Sequence, residues 1–425
     1  MSLIVCKFGG SSVQDPTSLK RVASRLVRMK KYGHDVVVVV SAMGDTTDEL
    51  LDLATQVAGL QAHPTREMDI LLTAGERISM ALLAMALEAQ GVSAHSYTGP
   101  QAGLMTDGNF GQARIVGIEP KRIKADLERS CIPIVAGFQG FHAATFDTTT
   151  LGRGGSDTTA VALAHALGAD ICEIYTDVDG VFSADPRVVP KARLLKEVTA
   201  EEMLELAAHG SKVLHVRAIE FARRHGVKVR VRSSFSDMPG TLITASAERN
   251  PDMEDALVSG ISTDRSQAKV TVVGVPDSPG AAATLFERVA ASGVNVDMVV
   301  QNVSAVATGL TDISYTVAQG DAAAQLPGLE RLVTELGAQG VLVNSQIGIL
   351  SVVGAGVRSH PGVYAQVFGA LRDACINIEM ISASEMRISV VMGESELDRA
   401  ARVVHETVGL DAESGEAVVY AGTGR

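Results

Sequence analysis

The chain contains no tryptophan, and phenylalanine and tyrosine together make up only 4% of it. It therefore offers few aromatic platforms on which nucleic-acid bases could stack. Basic residues are in deficit as well, 37 Lys and Arg against 49 Asp and Glu, a formal net charge of −12. That balance argues against a nucleic-acid partner, although a local basic pocket for a small anion remains compatible with it. Cysteine is scarce: Cys6, Cys131, Cys172 and Cys375 are scattered, and three of them sit inside apolar, strand-like runs. Reduced, buried thiols fit this pattern better than a disulfide or zinc framework, and no metal ligands are assigned. No apolar run approaches the roughly 18–20 residues of a membrane span. The longest candidate is Val36 to Val40, and Lys7 interrupts the first apolar run, so neither a membrane segment nor a secretory signal is expected. These absences leave a soluble, cytoplasmic protein that acts on small molecules. With 425 residues, 46% of them hydrophobic, the chain exceeds one ordinary core and predicts two to four domains.

From Leu3 to about Ser234, Val- and Ile-rich runs alternate with helical stretches at the spacing of βαβ units. The predicted strands are Ile4 to Lys7, Val36 to Val40, Val92 to Ser96, Ile132 to Ala136, Ile171 to Thr176 and Val227 to Val231. Predicted helices include Ser18 to Lys31, Thr46 to Gly59, Glu67 to Gln90, Lys121 to Ser130 and Thr158 to Leu167. The fold class is α/β with a mainly parallel sheet, and ligands of such sheets bind beyond the carboxyl ends of the strands.

Those ends carry the chemistry. Lys7-Phe8-Gly9-Gly10-Ser11-Ser12 reads as strand, tight glycine turn and helix, with backbone N–H groups and a lysine suited to an anion. Ser41-Ala42-Met43-Gly44-Asp45-Thr46-Thr47 follows the second strand, with Thr46 reading as a helix cap. Gly75, before Glu76 and Arg77, lies within a helical stretch, where glycine costs about 1 kcal/mol relative to alanine and so signals a close approach or a backbone adjustment. Glu76 and Arg77 are either a solvated pair or part of a site. Gly152-Arg153-Gly154-Gly155-Ser156-Asp157 opens a helix; Arg153 offers a planar fork for a carboxylate or phosphate, and Asp157 is either an N-cap or the partner of Lys7. The loop from Tyr175 to Arg187, with Asp177, Asp179 and Asp185, lacks the spacing of an EF-hand and suits a nucleotide better. Lys212 lies near a further helix start, within reach of a phosphate, whereas His215 reads as helix-end packing.

Occurring together and in this order, these segments, with Thr176-Asp177-Val178-Asp179-Gly180-Val181 and Lys212-Val213-Leu214-His215, resemble the motifs of monofunctional aspartate kinases of the amino-acid-kinase fold family. The resemblance extends over essentially the whole chain. It implies phosphoryl transfer from ATP, with Mg2+, to the side-chain carboxylate of L-aspartate, giving 4-phospho-L-aspartate at the start of lysine, threonine and methionine (diaminopimelate) biosynthesis. By match of motif, Lys7 would neutralise the transferring group, with Phe8, Gly9, Gly10 and Ser41 around it, and Asp157 would orient Lys7 and the phosphate-binding groups. Thr47, Glu76, Arg153, Gly154, Gly155 and Ser156 would hold aspartate, while Tyr175, Thr176, Asp177, Asp185, Arg187 and Lys212 would line the ATP site. No protein base is needed, because the substrate carboxylate is already ionised.

Beyond a Pro-, Gly- and Ser-containing stretch the chain repeats itself. Pro279 to Met298 aligns with Pro361 to Met380 at a constant offset, each copy reading strand, Pro-Gly turn, helix and strands. The copies resemble paired ACT domains, which implies a kinase domain over 1–245, a linker and start of the regulatory region over 246–265, and ACT-like units over 266–340 and 341–425. Lysine and/or threonine are the implied effectors, at Asp277, Gly280, Ala282, Asn295, Val296, Asp297, Gln301, Asn377 and Ile378. The resemblance also implies a homo-oligomer joined through the ACT units, with Met253 as the start of a shorter regulatory subunit. Two other readings stay open: a kinase for another small acid such as acetylglutamate, and an amino-acid sensor without catalysis.

Overall fold

The structure is a computed structural model that describes residues 2–59, 65–244, 258–302, 308–358, 360–412 and 415–420. Met253 lies outside the described residues. In chain order the first region contains β1 (Leu3–Phe8), α1 (Pro16–Lys31), β2 (Asp35–Val40), α2 (Thr46–Ala58), α3 (Arg66–Leu72), α4 (Ala74–Glu88), β3 (Ala94–Tyr97), β4 (Leu104–Thr106), β5 (Ile115–Ile118), α5 (Lys121–Glu128) and β6 (Ile132–Ala136). It continues with β7 (Gln139–His142), β8 (Thr148–Thr150), α6 (Gly155–Leu167), β9 (Ile171–Thr176), β10 (Glu197–Thr199), α7 (Ala200–Ala208), α8 (Val216–His225), β11 (Val229–Ser233) and β12 (Thr241–Thr244).

Eight of these strands form one sheet in the order β10-β12-β11-β9-β1-β2-β6-β3, parallel except where β11 meets β12. The five valines of β2 are completely buried, as a strand covered on both faces requires. One sheet face packs against α1 and α4 through Leu19, Val22, Leu26, Leu83 and Leu87, the other against α5 to α8. Helix α1 starts where Asp15 accepts a hydrogen bond from Ser18 N–H and Pro16 occupies the first turn, and it ends among Arg28, Lys30 and Lys31. The short strands β5-β4-β7-β8 make a second sheet that the sequence reading did not contain; at three or four residues each, they carry too little periodicity to read.

The predicted helix from Glu67 to Gln90 is two helices, separated at Thr73. By length and composition the stretch Arg66–Glu88 could cross a membrane, yet here α4 buries Met80, Leu83 and Leu87 against the sheet. Gly75 is required by a close approach: a Cβ there would lie 2.6 Å from the Cβ of Ala42, at the exit of β2.

The second region contains β13 (Gly260–Asp264), β14 (Gln267–Pro276), α9 (Ala281–Ala291), β15 (Val296–Gln301), β16 (Leu310–Ala318), α10 (Gln319–Leu336), β17 (Gly340–Asn344), β18 (Ile347–Val353), α11 (Pro361–Asp373), β19 (Met380–Ala383), β20 (Arg387–Gly393) and α12 (Leu397–Thr407). Two antiparallel sheets result, β15-β16-β14-β17 and β13-β18-β20-β19, each with two helices packed on it. The repeat differs in one detail from its reading: Gly280 is a left-handed N-cap before α9, whereas Pro361 and Gly362 already form the first turn of α11. Strand β13 falls in the stretch read as linker and start of the regulatory region. It pairs with β18, so the sheet of the second unit takes an edge strand from ahead of the first unit. The core beneath this sheet also takes in Ala184, Val189 and Ala192 from the loop after β9, and Ile261 N–H donates to Ser183 O at 2.6 Å.

Candidate active site

A cavity of about 810 Å³ opens beyond the carboxyl ends of β1 and β2 and at the start of α6. Of the residues singled out in the sequence, Lys7, Gly10, Ser41, Thr47, Glu76, Arg153, Gly154, Gly155, Ser156 and Asp157 line it. Lys7 lies on β1, between Val39 and Ile174 of the neighbouring strands, and its Nζ is 2.6 Å from Asp157 Oδ1. Both side chains are nearly buried, at 13% and 11% exposure, so little water screens the pair. Asp157 is not a cap: Gly154 occupies that position with φ 71°, and Asp157 stands in the first turn of α6. Gly154 has a second reason to be glycine, because a Cβ would come within 2.0 Å of the His215 ring. His215 caps α8 by accepting from Arg217 N–H, as its helix-end reading expects, and burial pushes its pKa down.

Glu76 lies in the first turn of α4 at 3% exposure, while Arg77 is exposed, which rules out a solvated pair. Its Oε1 accepts from Ala42 N–H at 3.1 Å, and its Oε2 is buried without a hydrogen-bond partner among the described residues. Burial raises its pKa to about 7. Arg153 is 88% exposed at the rim, 3.8 Å from Asp48. Thr46 is the first residue of α2 and not its cap, its hydroxyl donating to Met43 O.

A smaller cavity, about 210 Å³, is lined by Thr176, Asp177, Asp185, Arg187 and Lys212, and also by Ile261, Ser262 and Thr263 of β13. Arg187 Nη2 lies 3.0 Å from Asp177 Oδ2, and Arg187 N–H donates to Asp185 Oδ1. Three sequence assignments need correction. Phe8 and Tyr175 do not line either cavity; they stack in the core with ring centroids 4.6 Å apart, and Tyr175 O–H donates to Glu173. Alternation along β9 turns Tyr175 to the face opposite Ile174, away from Thr176. The Gly9 amide is committed to Tyr175 O at 3.3 Å and is not free for a phosphate.

Among the lining residues that escaped the sequence reading, Asp69 and Arg217 hold the site's backbone. Asp69 is fully buried on α3, where it accepts from Gly111 N–H, Thr150 N–H and the Thr150 hydroxyl. Arg217 donates to Ala113 O and Leu151 O. Together they pin the segment that leads into Arg153 and Gly154. The only sequence signal was a carboxylate at Asp69 within the apolar run of α3. Asp69→Ala should cost about 3 kcal/mol in chemical denaturation, because three donors lose a charged acceptor, and Asp69→Asn should recover part of it. An unchanged unfolding midpoint for Asp69→Ala would refute the pinning role.

Of the residues read as effector contacts, Asn295, Val296, Asp297, Gln301, Asn377 and Ile378 lie on or beside β15 and β19, where the two sheets meet around Met298 and Met380. Asp277 and Gly280 are at the turn before α9, and Ala282 is in its first turn. Asp297 also faces the first region, 3.7 Å from His209 Nε2 at the end of α7.

A parallel-sheet domain with a lysine-carboxylate pair at its strand ends, followed by two ferredoxin-like units, has the make-up of a small-molecule kinase that carries two further modules. Residues 2–233 match the amino acid kinase family, and 270–326 and 350–408 match the ACT domain. The chain is 57% identical, over the full length of both proteins, to an aspartokinase of Mycolicibacterium smegmatis. Its structure resembles Escherichia coli aspartokinase III in complex with aspartate and ADP (R-state), with TM-score 0.80 and 26% identity over 95% of this chain and 99% of that one. It also resembles the complex of that enzyme with lysine and aspartate (T-state), with TM-score 0.71 and 26% identity over 96% and 99%. The chain belongs to the amino acid kinase family and, within it, to the aspartate kinases, phosphotransferases with a carboxyl group as acceptor.

Proposed function

We propose that the enzyme transfers the γ-phosphoryl group of Mg–ATP to the side-chain carboxylate of L-aspartate in the cytoplasm, on the route to lysine, threonine and methionine, under feedback by lysine and/or threonine. One observation carries this reading: a single cavity holds a cation for the transferring group, Lys7 braced by Asp157, and the partnerless Oε2 of Glu76 for the substrate ammonium. Arg153 at the rim suits the α-carboxylate, and Thr47, Gly154, Gly155 and Ser156 shape the space around it. ATP would lie toward the smaller cavity, with Lys212 and Arg187 near its phosphates and Thr176, Asp177 and Asp185 beside it. Magnesium, an oxygen-seeking ion, would arrive on the phosphates and spread their charge; Gly10 and Ser41 supply backbone and hydroxyl groups there. The work of the chain is to position charge, since this chemistry leaves little covalent work for a protein. Trapping the acyl phosphate with hydroxylamine tests the reading: product with aspartate supports it, and product only with another acid, or none while ATP binds, overturns it.

Feedback is supported by contacts between the regions. Arg387 of β20 lies 3.6 Å from Glu205 of α7, and Glu205 and Asp297 both flank His209. An effector at the β15–β19 seam that displaced Asp297 or Arg387 would act on α7. Arg387→Ala should raise the effector concentration for half-inhibition at least ~10-fold, the scale of a 1–2 kcal/mol coupling, with uninhibited turnover within a few-fold of wild type. Unchanged inhibition would count against this route. Exposed Leu342 and Val343 on edge strand β17, with Val299 and Ile381 on the edges of the two sheets, favour association through the ACT units. A shorter subunit starting at Met253 would carry every strand of both ACT sheets, since β13 begins at Gly260.

A further inference from the structure

Far from the lysine of the active site in sequence, β3, α5 and β6 bring together three chemically different donors. A ring nitrogen of His95, a carboxylate oxygen of Asp126 and Cys131 Sγ all lie within 4.8 Å of one another. The scaffold explains the meeting. Helix α5 ends just after Asp126, the chain turns through Ser130 at φ 58°, and Cys131 N–H returns to donate to Asp126 O at 3.0 Å. His95, 31 residues from Asp126, sits on edge strand β3 opposite Pro133, two residues after Cys131.

Asp126 is 3% exposed, and among the described residues no lysine or arginine nitrogen lies within 4.0 Å of its carboxylate. Among the described residues its side-chain partners are His95, 3.0 Å from both oxygens, and the Tyr97 hydroxyl, which donates to Oδ2 at 2.6 Å. A buried carboxylate without a fixed cation calls for positive charge. We propose that His95, Asp126 and Cys131 form a binding site for a divalent, thiophilic cation of the zinc class, distinct from the magnesium that accompanies ATP. One imidazole nitrogen, one carboxylate oxygen and one sulfur suit zinc and not magnesium. Tyr97 would hold the carboxylate in place, the role that outer hydrogen bonds play around metal ligands. Binding replaces the thiol proton of Cys131, which leaves to solvent, by the metal. With neutral His95, Asp126 carboxylate and Cys131 thiolate, the two charges of the ion are balanced, so the filled site is neutral. His95 and Tyr97 also line a cavity of about 480 Å³ with Met85, Glu88 and Arg122, which gives water access to the imidazole side of the cluster. The Arg122 guanidinium, 5.7 Å from the Tyr97 ring, and the Lys30 ammonium, whose charge acts on Cys131, oppose a cation.

The test is a cobalt(II) titration of the full-length, chelator-treated protein, followed by visible absorption. The expected result is one equivalent per chain, with tetrahedral ligand-field bands and a thiolate-to-metal charge-transfer band, reversed by Zn2+ and untouched by a large excess of Mg2+. Cys131→Ser should abolish the charge-transfer band, His95→Ala should weaken binding at least tenfold, and Cys375→Ser, at the exposed cysteine, should change neither. His95 is more than half exposed, so its variant should fold. Absence of charge-transfer absorption in the wild type, or wild-type titrations from both Cys131→Ser and His95→Ala, would overturn the proposal.

Discussion

Lys7→Ala should lower acyl-phosphate formation by at least ~10³-fold, the scale seen when one well-placed electrostatic group is removed from a low-dielectric site. The side chain is nearly buried and held against Asp157 at 2.6 Å, so its charge is fixed before substrate arrives. The same change leaves Asp157 without its cation, which should cost about 3 kcal/mol of stability. The two effects separate in the double variant Lys7→Ala/Asp157→Asn, expected to recover much of the stability and none of the turnover. Near-wild-type turnover from folded Lys7→Ala would remove the lysine from the mechanism.

The second large effect belongs to Glu76. Glu76→Gln should raise KM for aspartate about 100-fold with a smaller change in kcat, because an amide replaces the charge offered to the ammonium, while an uncharged Oε1 can still accept from Ala42 N–H. Without ligand, burial places the folded carboxyl at about 7 against an ordinary 4.5. The unfolded chain therefore releases this proton more readily. The associated stability is fully present below pH 4.5 and is lost as pH rises through 7, amounting to about 3 kcal/mol. Denaturation of the free enzyme between pH 5 and 8 should show this decline, and Glu76→Gln should lack it. An ammonium bound at Oε2 favours the ionised form, so KM for aspartate should climb as pH falls below 7 in the wild type and stay flat in the variant. A wild-type KM in Glu76→Gln would take the residue out of the substrate site.

What could be read from the sequence depended on how local the signal was. The buried strands announced themselves, because five consecutive valines in β2 fit little else. Gly75 also spoke clearly, since a glycine inside a helix needs a reason, and Ala42 supplies it. Capping chemistry and pairing could not be separated at Asp157 until the left-handed Gly154 moved the helix start. Tyr175 was misassigned because a motif groups consecutive residues while a strand sends alternate ones to opposite faces. The side-chain partners of Asp69 lie 42 and 81 residues away, and no local pattern reports them.

Strand β13 makes the two halves of this enzyme inseparable. On one side it completes the sheet of the second ACT unit; on the other, Ile261, Ser262 and Thr263 wall the cavity that holds Lys212 and Arg187. A chain cut after β12 would keep every strand of the catalytic sheet yet lose one wall of that cavity, and would lay bare Ala184, Val189 and Ala192. The ACT half is thus part of the architecture of the kinase half, so a cut kinase domain would be an incomplete enzyme before any question of feedback arises.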